Sequence, residues 1–145
     1  MFRFRLERVL AYRRSQLETL EQELRKNVHT LQQEEAVLED LHTSCRQQQE
    51  ALAASEGQRL SGETLQMWHR HYRALEARVQ MQQAVVGEAA QALAAKRQEV
   101  IAARQKKKML EKLADIARQR HAMQMARDEQ QRLDEIATTR LHHGY

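Results

Sequence analysis

The sequence predicts an all-α protein, a long antiparallel two-helix coiled-coil hairpin in which the second helix is longer than the first. Three observations predict it. The 145 residues include no proline, four glycines and one asparagine, so the residues that turns draw on are nearly absent. Ala, Leu, Gln, Glu, Arg and Lys, the strong helix formers, dominate what remains. Two apolar series at heptad spacing are separated by a single glycine-bearing break.

The first series steps by seven through Leu10, Leu17, Leu24, Leu31, Leu38, Cys45 and Leu52. Its companion position reads Leu6, Arg13, Leu20, Asn27, Glu34, Leu41 and Gln48, so one rail of the seam is apolar and the other is interrupted by polar groups. This predicts a first helix over about 4–55.

Between the series lies Gly57-Gln58-Arg59-Leu60-Ser61-Gly62-Glu63, the expected turn at about 56–63. Gly57 suits the residue that ends a helix in a left-handed conformation. Ser61 suits an N-cap, with Thr64 where a capping box carries Glu.

The second series gives a helix over about 64–141. One rail reads Leu65, Tyr72, Val79, Val86, Leu93 and Val100; the other reads Trp68, Leu75, Gln82, Ala89, Lys96, Ala103 and Leu110. Lys107 follows Val100 at the next step, and large apolar residues resume at Met109, Leu113 and Ile116. That shift of phase reads as a stutter. Gly87 lies alone inside this helix, where it costs about 1 kcal/mol relative to alanine.

A short connection makes the two helices antiparallel neighbours, and facing residue numbers then sum to about 120. Leu10 belongs near Leu110, Leu52 near Trp68 and Phe4 near Ile116. At 1.5 Å per residue the helices are about 75 Å and about 115 Å long. About 25 residues of the second helix therefore outrun the first. Met123, Met125, Leu133, Ile136 and Leu141 on that overhang lack an intramolecular partner, a pattern suited to insertion into another protein's groove or cavity.

Charge and cysteine narrow the function. The 24 basic and 20 acidic side chains leave a formal charge of +4, a mild basic excess on a heavily charged surface. Single Cys45 permits no internal disulfide, and its place on the leucine rail reads as a buried apolar cysteine. No signal-peptide core and no apolar run of membrane-spanning length is present, so a soluble cytoplasmic protein is expected.

Catalysis is not expected. The acidic pairs Glu39-Asp40, Asp128-Glu129 and Asp134-Glu135 lack a cleft that would tune them, and no phosphate-binding glycine loop is legible. The histidines are not spaced as a closed metal site, and no metal or cofactor is expected. Arg104 to Lys108 reads as a solvated face or a protein-facing patch rather than a DNA-binding basic region, since Glu99 and Glu111 interleave. No nucleic acid partner is expected. Trp68 and Tyr72 lie four apart near the break, as core packing or as an aromatic binding spot. Phe2, Phe4 and Tyr12 are expected to clamp against Leu113 and Ile116.

The opening Met1-Phe2-Arg3-Phe4-Arg5-Leu6-Glu7-Arg8-Val9-Leu10, followed by Tyr12-Arg13-Arg14, resembles the start of the bacterial flagellar FliJ family. Arg104 to Leu113 and Arg127 to Ala137 resemble that family's closing pattern, a basic run, a leucine pair and an acidic ending. The resemblance covers essentially the whole chain. It implies a soluble component of the flagellar type III export apparatus, folded like the coiled coil of the rotary ATPase gamma subunit. Such a stalk inserts in the export ATPase hexamer, promotes its assembly and activity, and contacts the cytoplasmic domain of the export gate. Export chaperones are further implied partners, and association with the cytoplasmic membrane at the flagellar base is peripheral, through partners.

Carried over to this chain, the resemblance implies ATPase-ring contacts at Phe4, Leu6, Leu10, Leu110, Leu113, Ile116, Arg127, Glu129, Leu133, Asp134 and Glu135. It implies export-gate contacts, by region, at Leu38, Leu41, Trp68, Tyr72, Leu75 and Val79. Two alternatives share the architecture: the equivalent stalk of a virulence type III secretion system, and a generic coiled-coil scaffold that dimerises through the leucine rail.

Overall fold

A computed structural model describes residues 1–58 and 60–144. It contains two helices, α1 (Glu7–Ala54) and α2 (Gly62–His143), of 48 and 82 residues. They pack antiparallel as a coiled-coil hairpin, and the second is the longer. The chain divides into two compact units, Leu20–Val100 and Met1–Thr19 with Ile101–Tyr145.

In the Leu20–Val100 unit the seam follows the heptads. Leu75, Leu93 and Val100 are buried, and Leu24, Leu31, Leu38, Leu41, Cys45 and Leu52 are half-buried. Cys45 is a free thiol. Polar seam residues are paired instead of packed. The Gln82 amide donates to the Glu34 carboxylate at 2.5 Å and to the Glu34 carbonyl at 2.9 Å. The Lys96 ammonium donates to Glu23 at 2.8 Å and to Glu99 at 2.9 Å. Gln49 donates to the Tyr72 hydroxyl at 2.7 Å. Each of the cross-helix pairs 34 with 82, 23 with 96 and 49 with 72 sums to about 120, as a short antiparallel connection requires.

The break uses the residues its chemistry calls for. Gly57 has φ +93°, a left-handed conformation that a Cβ would strain. The expected turn at 56–63 includes Arg59, which lies outside the described residues. Ser61 caps α2: its Oγ accepts from the Thr64 N–H at 3.2 Å, and its carbonyl accepts from the Leu65 N–H at 3.1 Å. The Thr64 hydroxyl lies 2.8 Å from Ser61 Oγ, replacing the glutamate of a capping box.

In the unit of Met1–Thr19 with Ile101–Tyr145, Leu10, Leu17, Ala103 and Ala114 are buried, and Leu6, Arg13, Lys107, Leu110 and Ala117 are half-buried. Here the expected stutter is corrected. Sheltered residues continue in steps of four and three through Ala103, Lys107, Leu110, Ala114 and Ala117, so the phase runs on. Met109 (66% exposed), Leu113 (47%) and Ile116 (42%) lie off the seam. The reason is that Lys107 can lay its alkyl stem along the seam while its ammonium sits 3.8 Å from Glu111. Alanines fill the next positions, where a reading weighted toward large side chains finds nothing.

The chain start also differs from a helix beginning near residue 4. The first helical residue is Glu7, whose acidic side chain favours a helix N-terminus. Before it, Phe2, Phe4 and Leu6 are half-buried while Met1, Arg3 and Arg5 are exposed. Residues 1–4 are neither helix nor strand and Arg5-Leu6 form a turn, which together set Phe2, Phe4 and Leu6 toward the protein and the residues between them toward water. The Glu7 N–H donates to the Phe4 carbonyl at 3.2 Å, and the Leu10 N–H to the Leu6 carbonyl at 2.9 Å, where the helix takes over.

Candidate functional site

Two sets of residues are candidate partner-facing surfaces, one in each unit. In the unit of Met1–Thr19 with Ile101–Tyr145, Leu10 and Leu110 belong to the seam and hold the helices together. Phe4 and Leu6 from the non-helical start meet Leu113 and Ile116 of α2 across a shallow groove, which Arg5, Ala117 and Arg120 complete. The Phe2 ring packs on the His121 ring, centroids 5.3 Å apart and tilted by 41°. Tyr12 takes no part in this groove. It is exposed, with the Arg13 guanidinium 5.8 Å from its ring centroid. The expected clamp is therefore made by Phe2, Phe4 and Leu6, because a residue two after buried Leu10 on a helix points away from the partner.

After His121 every described residue is exposed, and α2 continues to His143. Arg127, Glu129, Leu133, Asp134 and Glu135 all lie on this stretch. Side-chain bonds there are local: Gln124 donates to Asp128 at 3.0 Å and Gln130 to Asp134 at 3.3 Å. Exposed Met123, Met125, Leu133, Ile136 and Leu141 give the stretch apolar surface for a partner.

In the Leu20–Val100 unit, Leu38, Leu41, Trp68, Tyr72 and Val79 are half-buried and Leu75 is buried. Trp68 and Tyr72 line a cleft of about 270 Å³ with Gln48, Gln49, Leu52, Leu65 and His69. Leu52 thus lies beside Trp68, as the pairing arithmetic places it. The bond from Gln49 to Tyr72 orients the phenol and leaves an apolar wall formed by Leu52, Leu65 and the indole. A second depression brings together His42, Cys45, Tyr72 and Val79.

The Lys96 pKa is raised above its ordinary value by the hydrogen bond to Glu23, then by that to Glu99. That cation is held as a structural tie across the seam. Among the described residues no group of three or more His, Cys, Asp or Glu is placed to hold a metal. The lysine run divides: Lys107 turns to the seam, and Lys106 and Lys108 stay in solvent.

Sequence reasoning missed Arg5, Ala117 and Arg120 in the groove, and Gln48, Gln49 and Leu65 in the cleft. Their signal appears only when flanking positions of both helices are read together. The family model described as Flagellar FliJ protein matches residues 1–144. No curated protein and no solved structure matches the chain.

Proposed function

We propose how this chain acts from one premise: it belongs to the flagellar FliJ protein family. Membership supports a role as a non-catalytic stalk component of flagellar protein export, with the export ATPase and gate components as partners. It favours the flagellar reading over a virulence-type stalk.

Within that role the chain inserts in the export ATPase hexamer, promotes its assembly and activity, and links it to the gate. The carrying observation is the stretch of α2 after His121, helical and exposed throughout its described length. A lone amphipathic helix of this length is only marginally stable and gains from a partner that covers it. Leu133, Arg127, Glu129, Asp134 and Glu135 are the ring contacts on this stretch, with Phe4, Leu6, Leu113 and Ile116 at the groove behind them. Leu10 and Leu110 serve that surface by fixing the two helices beneath it. The mixed charges allow contact with successive subunits of a near-symmetric ring without locking to one.

The gate contact is the cleft of Trp68 and Tyr72, with Leu38, Leu41, Leu75 and Val79 supporting its helices. Aromatic side chains at the edge of an apolar cleft are the groups that dominate interface energies. Escort of export chaperones is a further activity in this reading. Among the described residues no helix is long and apolar enough to cross a membrane, so the proposed membrane association is peripheral and made through partners at the cytoplasmic face.

The test is a chain ending at His121. Its helix content and melting should follow those of the paired segments, while stimulation of the export ATPase and of ring assembly should be lost. Full stimulation by the shortened chain would sink the proposal.

A further inference from the structure

The unit of Met1–Thr19 with Ile101–Tyr145 carries an apolar patch that neither of its helices covers. With Leu10 and Val100 at heptad position a, the g positions of an antiparallel pair flank one side of the seam and the e positions flank the other. Arg14 and Glu111, both at e, confirm the geometry with an ion pair at 3.8 Å. On the g side the pairing sets Val9 against Leu113, with Tyr12 and Met109 at c on the outer flanks of the two helices and Ile116 next along. All five are exposed.

The charges on this side are of one sign. Between residues 7 and 19 of α1 and residues 101 and 123 of α2, the charged residues at c, f and g are Arg8, Lys106, Lys112 and Arg120. Arg5 joins Arg120 at the adjoining groove. The acidic residues of the same segments, Glu7, Glu18, Glu111 and Asp115, all fall at b or e. The patch is therefore apolar along its middle and basic along its rim.

We propose that this face docks an amphipathic helix of a partner protein, acidic along both edges of its apolar stripe, as the third helix of a bundle. Two observations select that occupant. Met109, Leu113 and Ile116 recur in steps of four and three, the spacing at which one helix receives another. The rim offers cations at the places where glutamates beside such a stripe would lie, and like-charged competitors are repelled. A phosphate-rich partner would use the cations and leave the apolar row idle. Leu113 and Ile116 also line the groove assigned to the ring, and the inference goes beyond that contact by naming one side face and the chemistry of what covers it.

The test uses the full-length chain and a labelled three-heptad peptide with leucines on one face and glutamates at its edges. The peptide should bind at physiological salt and gain helicity. Leu113→Glu, at an exposed position, should keep the parent's circular dichroism and melting yet weaken binding by about tenfold or more. Arg118→Glu, at an e position, should bind as the parent does. The proposal is overturned if the same peptide with lysine edges binds equally well, or if Leu113→Glu has no effect. It is equally overturned if phosphatidylglycerol vesicles or a short DNA duplex displace the peptide from this face. No ATPase enters the assay, so its failure leaves the stalk reading standing, and the reverse also holds.

Discussion

Lys96 stands at a seam position, where loss of water works against a charge, and two carboxylates answer for it. Its raised pKa means that the folded form holds the proton more tightly than the unfolded form. The resulting stability is fully present below the ordinary lysine value of 10.5 and is lost as pH rises through the higher folded value. Denaturant titrations of the parent and Lys96→Met should run parallel from neutral pH to the ordinary value, with the parent alone losing its Lys96 contribution above it. Parallel curves across the whole range would show that the ammonium contributes nothing. Leu10 tests the apolar side of the same seam. It is 2% exposed, so Leu10→Ala should cost about 2–4 kcal/mol in urea unfolding. A cost near zero would mean that the helices close over the gap.

At the scale of elements, two glycines make opposite predictions. Gly57 holds φ +93°, so Gly57→Ala should destabilise the hairpin by about 1 kcal/mol. Gly87 lies in α2 with open space where a Cβ would go, so Gly87→Ala should stabilise by about 0.5–1 kcal/mol. Thermal melts of both variants decide the pair, and a shared sign would contradict the account of one of them. The elements also show what a sequence can disclose. Both rails, the Ser61 cap and the Gly57 ending were legible because each follows from local periodicity or backbone chemistry. The non-helical start was not, because a search for helical periods passes over the Phe-Arg-Phe-Arg alternation of residues 2–5. The unbroken phase past Lys107 was missed because alanine and a lysine stem can fill a seam without looking apolar. The candidate surfaces were legible only in part. Trp68, Tyr72, Leu113 and Ile116 announce themselves by type, whereas Arg5 and Arg120 gain meaning only once both strands of the hairpin are paired.

For the whole molecule, the heptad rails are satisfied within one chain. That arrangement predicts a monomer in sedimentation, in contrast to a scaffold that spends its leucine rail on a second copy. Beyond the side patch at Met109, Leu113 and Ile116, the chain leaves unsatisfied the apolar surface of α2 after His121, and this is what a stalk would offer to an ATPase ring. The most direct measurement of that claim places a photo-crosslinking residue at Leu133, with Val37 as an exposed control in α1. In the presence of the assembled export ATPase, Leu133 should crosslink to the ATPase and Val37 should not. Crosslinking from Val37 with none from Leu133 would contradict the account.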